Sequence, residues 1–429
     1  MTSLADKDHR FIWHPFTQMK DWLTEEPVII ESAEGAVLRD TAGREYLDAN
    51  SSIWTNLHGH RHPKITQAIK DQLDKIAHSS FLGLSNAPAI ELAEKLVSLV
   101  QSTLPSSLFP LSRVFYSDDG STAMEVAIKM ALQYWQHRKQ GRRTKFVAFA
   151  DAYHGDTLGA VSAGGIELFH AAFKPLLFDV LRVGQLSELE KIIKQQHNRV
   201  AAVVIEPLVQ GAAGMKLWPR GLLAELRQLC GQYNVLLIAD EVLTGFGRTG
   251  TMFACEQEGV VPDLMALSKG LTGGYLPLAA TLMTEDIFNA FLGEYSEFKT
   301  FFHGHSYTGN QLGCAAALAN LRVFEEEQVL KNLEPRIANL KSGLDRLRTL
   351  PHVIDVRQCG FIGAVEVGPF PIEQRMGVKV CAEMRKRGVL TRPIGNTIVI
   401  MPPYCVHDKQ LARMLDVLCD SINMSIVKV

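Results

Sequence analysis

No apolar run in this chain approaches the roughly 20 residues that a membrane-spanning helix needs. An excess of one charge is missing too. Lys and Arg number 44 against 46 Asp and Glu, a net charge of −2 that leaves no nucleic-acid footprint at the level of the whole chain. The seven cysteines, at 230, 255, 314, 359, 381, 405 and 419, are widely spaced and form no Cys-x-x-Cys pair. They read as small core residues in a reducing compartment rather than as a disulfide framework. Met1 to Arg10 is too polar for a signal peptide. Internal repeats and low-complexity linkers are also lacking. These absences predict a soluble, cytoplasmic protein. Present instead is 47% hydrophobic content over 429 residues, enough for a large core and roughly two to three domains.

The middle of the chain reads as α/β. Val114–Tyr116, Phe146–Phe149, Val200–Ile205, Val235–Ile238 and Leu264–Leu267 are apolar strand candidates. Helical patterns separate several of them; in Leu222–Tyr233, Leu222, Leu223, Leu226 and Leu229 share one face. Alternation of this kind predicts a mostly parallel sheet covered by helices, with ligands at the carboxyl ends of the strands. Beyond residue 311 the character changes. Leu312–Leu350 predicts one long helix or a helical pair, followed by strands at Val353–Val356, Gly363–Val367 and Thr397–Met401. Helices are expected near Lys379–Arg387 and from Asp408. The expected division is a large domain over 61–311, a smaller α+β domain over 312–429, and an N-terminal segment, 1–60, packing with the smaller one. That segment holds short strands at Pro27–Glu31, Ala36–Arg39 and Glu45–Leu47.

Chemistry concentrates at the predicted strand ends. One apolar run ends in Ser268-Lys269-Gly270, and another in Ala239-Asp240-Glu241. A lone lysine after a strand is ordinarily a solvated surface residue. Paired with a strand-end carboxylate it suits pyridoxal phosphate, whose ring needs an anion at its nitrogen and an amine at its aldehyde. Ser117-Asp118-Asp119-Gly120-Ser121-Thr122 lies between a strand and a helix striped with Met124, Ala127, Ile128, Ala131 and Trp135. The start of such a helix is a ready anion site, although Ser, Thr and Asp there also serve as plain N-caps. Tyr153, in Asp151-Ala-Tyr-His-Gly-Asp-Thr157, can stack on a flat ring or merely close a strand. Glu206, before Pro207, ends another strand, where it can equally cap a turn.

Two patterns point elsewhere. Gly245-Phe-Gly247-Arg-Thr-Gly250 spells the dinucleotide fingerprint. However, Asp240-Glu241 would repel a pyrophosphate there, the following segment opens no clear helix, and no acid-terminated strand follows. The histidines in His58-Gly-His60-Arg-His62 and His303-Gly-His305 suggest a metal, yet no acid or cysteine set accompanies them. They read as turn and active-site loop residues, and no metal is expected.

The run Leu236 to Gly250, with Pro262-Asp263 and Ser268-Lys269-Gly270, resembles the class III aminotransferases of pyridoxal-phosphate fold type I. Four stretches resemble the biotin-pathway members of that family. They are Trp13-His-Pro-Phe-Thr-Gln-Met19, Ser51-Ser-Ile-Trp54 with His58-Gly59, Tyr134-Trp135 through Tyr153–Thr157, and Phe302-His-Gly-His-Ser306 through Asn310. The resemblance runs from near residue 10 to about 405.

That resemblance implies a pyridoxal 5'-phosphate enzyme working as a homodimer with shared active sites. Lys269 would carry the cofactor and move the proton, Asp240 would pair with its ring nitrogen, and Tyr153 would stack on the ring. Gly120 and Ser121 would take the phosphate, with His305 and Ser306 also at the cofactor, Ser306 from the partner subunit. Phe16, Ile53, Trp54, Arg248 and Gly304 would line the substrate pocket, and Arg392 would grip a carboxylate. The implied reaction moves an amino group from S-adenosylmethionine to 8-amino-7-oxononanoate, giving 7,8-diaminononanoate by ping-pong transamination. Phe16 and Ile53 stand where Tyr and Trp are usual in the S-adenosylmethionine enzymes, and both resemble a branch that uses lysine. Lysine as donor, or an ω-amino acid aminotransferase activity, therefore stays open at this stage.

Overall fold

The structure, a computed structural model, describes residues 2–106 and 110–426. The outermost limits of the expected division, Met1 and Val429, lie outside the described residues. At the centre is a seven-stranded sheet built from β1 (Leu111–Ser117), β2 (Lys145–Phe149), β3 (Val180–Val183), β4 (Val200–Ile205), β5 (Leu236–Asp240), β6 (Leu264–Leu267) and β7 (Ala279–Thr284). Its order is β1-β7-β6-β5-β4-β2-β3. From β6 to β3 every pairing is parallel, while β7 runs antiparallel to β6 and β1. Every residue of β4, β5 and β6 is buried. This is why those strands read as unbroken apolar runs with no alternation. β3 and β7 were not among the sequence expectations. Arg182 interrupts the first, and the second is a short Ala- and Thr-containing stretch without a strand period.

The topology fixes the site. Because β7 reverses, β1 runs parallel to β6, and the carboxyl ends of β1, β2, β4, β5 and β6 share one rim. Helix α1 (Gly120–His137) follows β1 directly and buries Met124, Ala127, Ile128, Ala131 and Trp135. The Trp135 indole nitrogen donates to the Ala201 carbonyl at 2.8 Å, anchoring α1 beneath β4.

Beyond the sheet, Leu312–Leu350 resolves into two helices, Gln311–Glu326 and Val329–Leu347, broken at Gln328 with φ 47°. An antiparallel sheet follows, in the order Val353–Cys359, Ile362–Val367, Thr397–Ile400, Pro393–Ile394. Helices Met376–Lys386 and Asp408–Ile426 accompany it. The N-terminal strands Ile30–Glu34, Val37–Asp40 and Glu45–Asp48 form a sheet completed by Val389–Leu390, with Leu47 opposite Val389. The start of the chain is thus joined to its last third by strand pairing, and by an Arg375–Asp21 ion pair at 2.8 Å. Among the described residues, no helix is long and apolar enough to cross a membrane.

Candidate active site

A cavity of about 440 Å³ opens on the shared rim. Of the residues expected at a site, Trp54, Gly120, Ser121, Tyr153, Asp240 and Lys269 line it. Asp240 ends β5, and Lys269 begins a short turn just after β6 with φ 43°. Such a left-handed conformation is uncommon for a residue with a side chain. Lys269 is half-buried, its Nζ 5.0 Å from the centroid of the Trp54 ring. Burial pulls its pKa below the ordinary lysine range, against the opposing charges of Asp240 and Glu206, and Arg248 adds to the fall. A lowered pKa leaves more neutral amine at physiological pH, the form able to attack a carbonyl.

Asp240 is buried and held from two sides. Its Oδ1 accepts from the Val242 backbone N–H at 3.1 Å, and its Oδ2 lies 2.7 Å from Nδ1 of His154. The His154 side chain is fully buried. Burial opposes charge on this imidazole, but the bond to Asp240 and the carboxylates of Asp240 and Glu206 outweigh it and raise the pKa. Sequence reasoning named the motif around Tyr153 and missed His154 as the partner of Asp240. The only available signal was adjacency to Tyr153, which says nothing of where the ring points.

Glu206 directly follows β4 and lines the same cavity. Its two oxygens accept from the Tyr153 N–H at 3.1 Å and the Gly211 N–H at 2.8 Å. Burial pushes its pKa up to about 7. An unfolded chain would release that proton near 4.5, so between the two values the folded chain holds the extra proton. Stability therefore falls as pH rises through this window and levels off above it, a cost of about 3 kcal/mol. Glu206→Gln sets one amide NH2 against a backbone N–H, an offset independent of pH, but removes the titration. Its thermal midpoint, measured against wild type, is expected to rise steadily from pH 5 to 7. A constant difference across that range would show that Glu206 is ionised throughout.

The loop before α1 satisfies both readings of its sequence. Asp119 caps the helix, its Oδ1 accepting from the Thr122 N–H at 3.0 Å while Thr122 Oγ1 accepts from the Asp119 N–H at 3.1 Å. Gly120 and Ser121 nevertheless face the cavity, where the 18-residue helix presents its positive end. Gly155 completes the cradle. It has φ 119°, and a Cβ there would lie 2.1 Å from Ser121 Oγ. Tyr153 lies above, half-buried, with its hydroxyl donating to Asp156 at 2.7 Å. Burial first, then that bond, raises the phenol pKa and keeps the proton on.

The other expected residues lie elsewhere. Arg248 is 1% exposed and does not line the cavity. Its guanidinium donates to the carbonyls of Pro402 at 3.0 Å and Asn56 at 3.2 Å and packs over Tyr404. That geometry ties segments of the chain together. Arg392 and Phe16 are exposed and joined, Arg392 Nη2 donating to the Phe16 carbonyl at 2.7 Å. A line of rings leads inward from there: Phe16 meets Phe169 at 5.4 Å between centroids, and Phe169 meets Tyr153 at 6.4 Å. Gly304 and Ser306 occupy an exposed loop outside the cavity, pinned by His78 Nε2 on the Ser306 carbonyl at 2.7 Å. His305 stands 3.4 Å from Asp118, which does line the cavity.

Ile53 and Trp54 part company. Ile53 is 46% exposed and outside the cavity lining, whereas Trp54 forms part of its wall. The reason is the backbone. Ser51, Ser52, Ile53 and Trp54 have φ of 46°, 48°, 64° and 69°, four successive left-handed residues without a glycine. Each costs about 1–2 kcal/mol, and the β-branched Ile53 resists most.

The glycine-rich Gly245–Gly250 segment is a packed turn. A Cβ on Gly247 would lie 2.9 Å from Leu330 Cδ2, and only a short 3-10 turn, Ala254–Glu258, follows. His58, in the other misleading pattern, is buried against Phe324 and Tyr404, and burial drives its pKa down to about 3.

The aminotransferase class-III family pattern matches residues 19–422. The chain is a class III aminotransferase. It is 50% identical to the adenosylmethionine-8-amino-7-oxononanoate aminotransferase of Nitratidesulfovibrio vulgaris, over 96% of this chain and 80% of that protein. With the protein of the same name from Geobacter sulfurreducens the identity is 49%, over 98% and 97%. The crystal structure of the Methanocaldococcus jannaschii protein of that name superposes with a TM-score of 0.95 at 45% identity, covering 98% of both chains. An omega transaminase from Pseudomonas jessenii, in complex with PMP, gives 0.93 at 29% identity, covering 100% of this chain and 99% of that one.

Class III aminotransferases work with pyridoxal phosphate, and this chain's residues fit it. A lysine amine with a lowered pKa, a buried carboxylate, a helix N-terminus and a Cβ-free cradle at Gly155 all meet in one cavity.

Proposed function

We propose that this aminotransferase moves an amino group from S-adenosylmethionine to 8-amino-7-oxononanoate, forming 7,8-diaminononanoate for biotin synthesis. The observation that carries the chemistry is Lys269, Asp240 and the Gly120–Ser121 helix start in a single cavity. When bound, pyridoxal phosphate supplies a carbonyl that accepts amines and a protonated ring that stores an electron pair. Lys269 would hold it, and its Nζ would serve as the base that moves the proton at the carbon losing or gaining nitrogen. Asp240 would keep the ring nitrogen protonated, Gly120 and Ser121 would receive the phosphate, and Tyr153 would cover the ring face. Arg392 spends one nitrogen on Phe16 and keeps other N–H groups for a substrate carboxylate. Both substrates use the same pocket in turn.

The active form is a homodimer in this reading. Its support is the loop with Gly304 and Ser306, which is exposed and lies outside this chain's own cavity lining. A reducing cytoplasm is the proposed compartment, in keeping with seven scattered thiols.

Two features favour S-adenosylmethionine over lysine: the names of the relatives, and the Trp54 ring in the cavity wall. Attraction of the sulfonium to that ring is worth about 0.5–2 kcal/mol, or roughly 2–30-fold in affinity. Holoenzyme mixed with each donor alone, and followed by cofactor absorbance, is expected to respond to S-adenosylmethionine. Trp54→Ala should weaken that response by the same factor. Ile53→Trp should leave donor choice unchanged, since Ile53 lies outside the cavity lining. Response to lysine alone would overturn the donor assignment, and no conversion of 8-amino-7-oxononanoate by amine-loaded enzyme would overturn the acceptor.

A further inference from the structure

The four left-handed residues at Ser51–Trp54 need a restraint, since nothing in their side chains favours that backbone. Asp48 supplies it. This residue is 2% exposed, at the end of the strand Glu45–Asp48. Its Oδ1 accepts from the backbone N–H groups of Asn50 at 3.2 Å and Ser52 at 3.1 Å. Its Oδ2 accepts from Ser52 Oγ at 3.0 Å and lies 3.2 Å from His60 Nε2. One buried carboxylate therefore holds the start of the turn at three donors and a ring nitrogen. Two further bonds tie the same stretch to the C-terminal sheet region, Ser51 Oγ to the Met401 carbonyl at 2.7 Å and Met401 N–H to the Ala49 carbonyl at 2.8 Å.

The consequence is felt at Trp54. Its indole nitrogen donates to Asn50 Oδ1 at 2.8 Å, and its ring packs on a cluster that includes Leu243, Ile362, Val399 and Met401. The other side of this arrangement is the cavity, with the Lys269 nitrogen 5.0 Å from the ring centroid. A right-handed or extended turn would move Ile53 and Trp54 together and withdraw that wall. We infer that Asp48 is a positioning residue of the transamination site, clamping the left-handed Ser51–Trp54 turn so that Trp54 stands against the Lys269 nitrogen. Asp48 lies outside the cavity lining and acts through the turn.

Holding Trp54 there has a readable effect. An aromatic face near a nitrogen favours its protonated form, so withdrawing the ring lowers the pKa of that nitrogen. The charges that also act on it are Asp240, Glu206 and Arg248, and none of them bonds to the turn. Both the clamp and its effect presuppose that Lys269 carries the cofactor.

The experiment compares wild type, Asp48→Asn, Ile53→Gly and the double variant as holoenzymes. The absorbance of the lysine-linked cofactor is titrated with pH, and the acceptor KM is measured beside it. Asp48→Asn is expected to shift the titration down by about 0.5–1 unit and raise the KM about tenfold. Glycine adopts positive φ without a Cβ penalty, so Ile53→Gly should restore more than half of both effects in the double variant. Ser52→Ala deletes only the Oγ bond to Asp48. It should give a smaller shift in the same direction, and it decides the matter if Asp48→Asn does not fold. An unmoved titration in these variants, or a double variant as impaired as the two single ones added together, overturns the clamp. Borohydride labelling separates the two levels of failure. A label away from Lys269 defeats the assignment of the cofactor lysine, whereas a labelled Lys269 with an unmoved titration defeats the clamp alone.

Discussion

Lys269→Ala is expected to lose at least about 10²–10⁴-fold in turnover, the contribution typical of one positioned acid–base group, together with covalent retention of the cofactor. Three features converge on this side chain. It follows β6 on the rim where the parallel strands end, its amine has a lowered pKa, and it shares the cavity with Asp240. Among the described residues, no other lysine lines that cavity. The left-handed backbone at Lys269 is equally strained in alanine, so the substitution changes the chemistry more than the fold. Steady-state assays beside a thermal melt separate the two. A variant that melts like wild type and keeps a tenth or more of its activity would remove Lys269 from the mechanism.

Asp240→Asn should slow both half-reactions together, by about 10–10³-fold, the equivalent of a 1–3 unit coupling between a carboxylate and an adjacent cation. Asparagine fills the same volume and still accepts from the Val242 N–H. What disappears is the negative charge that raises the His154 pKa and that would hold a proton on the ring nitrogen of the cofactor. Cofactor should therefore remain bound while single-turnover rates fall. Because Asp240 serves the ring in either direction, a loss confined to one substrate would point to a different role. Wild-type single-turnover rates in a cofactor-loaded variant would exclude Asp240 as the partner of the ring nitrogen.

Strand ends were the legible part of this chain. β4, β5 and β6 are buried on both faces, so their sequences are apolar without interruption, and the first polar residue marks where each meets the rim. Glu206 and Asp240 could be placed by that rule, and Lys269 follows Ser268, the first polar residue after β6. Side-chain direction could not. Arg248, given a pocket role through the family resemblance, lies within the glycine-rich run, packs against Tyr404 and bonds to carbonyls from two distant segments. Ile53 and Trp54 were placed at the pocket together through the family resemblance of the Ser51–Trp54 stretch, which carries no information on side-chain direction. A left-handed turn obeys neither the helical nor the strand period, and it turns one residue to the cavity and the other to the surface. Long-range partners were equally hidden: neither the His154–Asp240 bond nor the hold of Asp48 on Ser52 leaves a composition signal.

The most direct measurement is borohydride reduction of the holoenzyme followed by peptide mapping. Reduction should fix the cofactor to one peptide, the one containing Ser268-Lys269-Gly270, and Lys269→Ala should abolish the label. A label on a different lysine, or one that survives in Lys269→Ala, would contradict the placement of the chemistry at this rim.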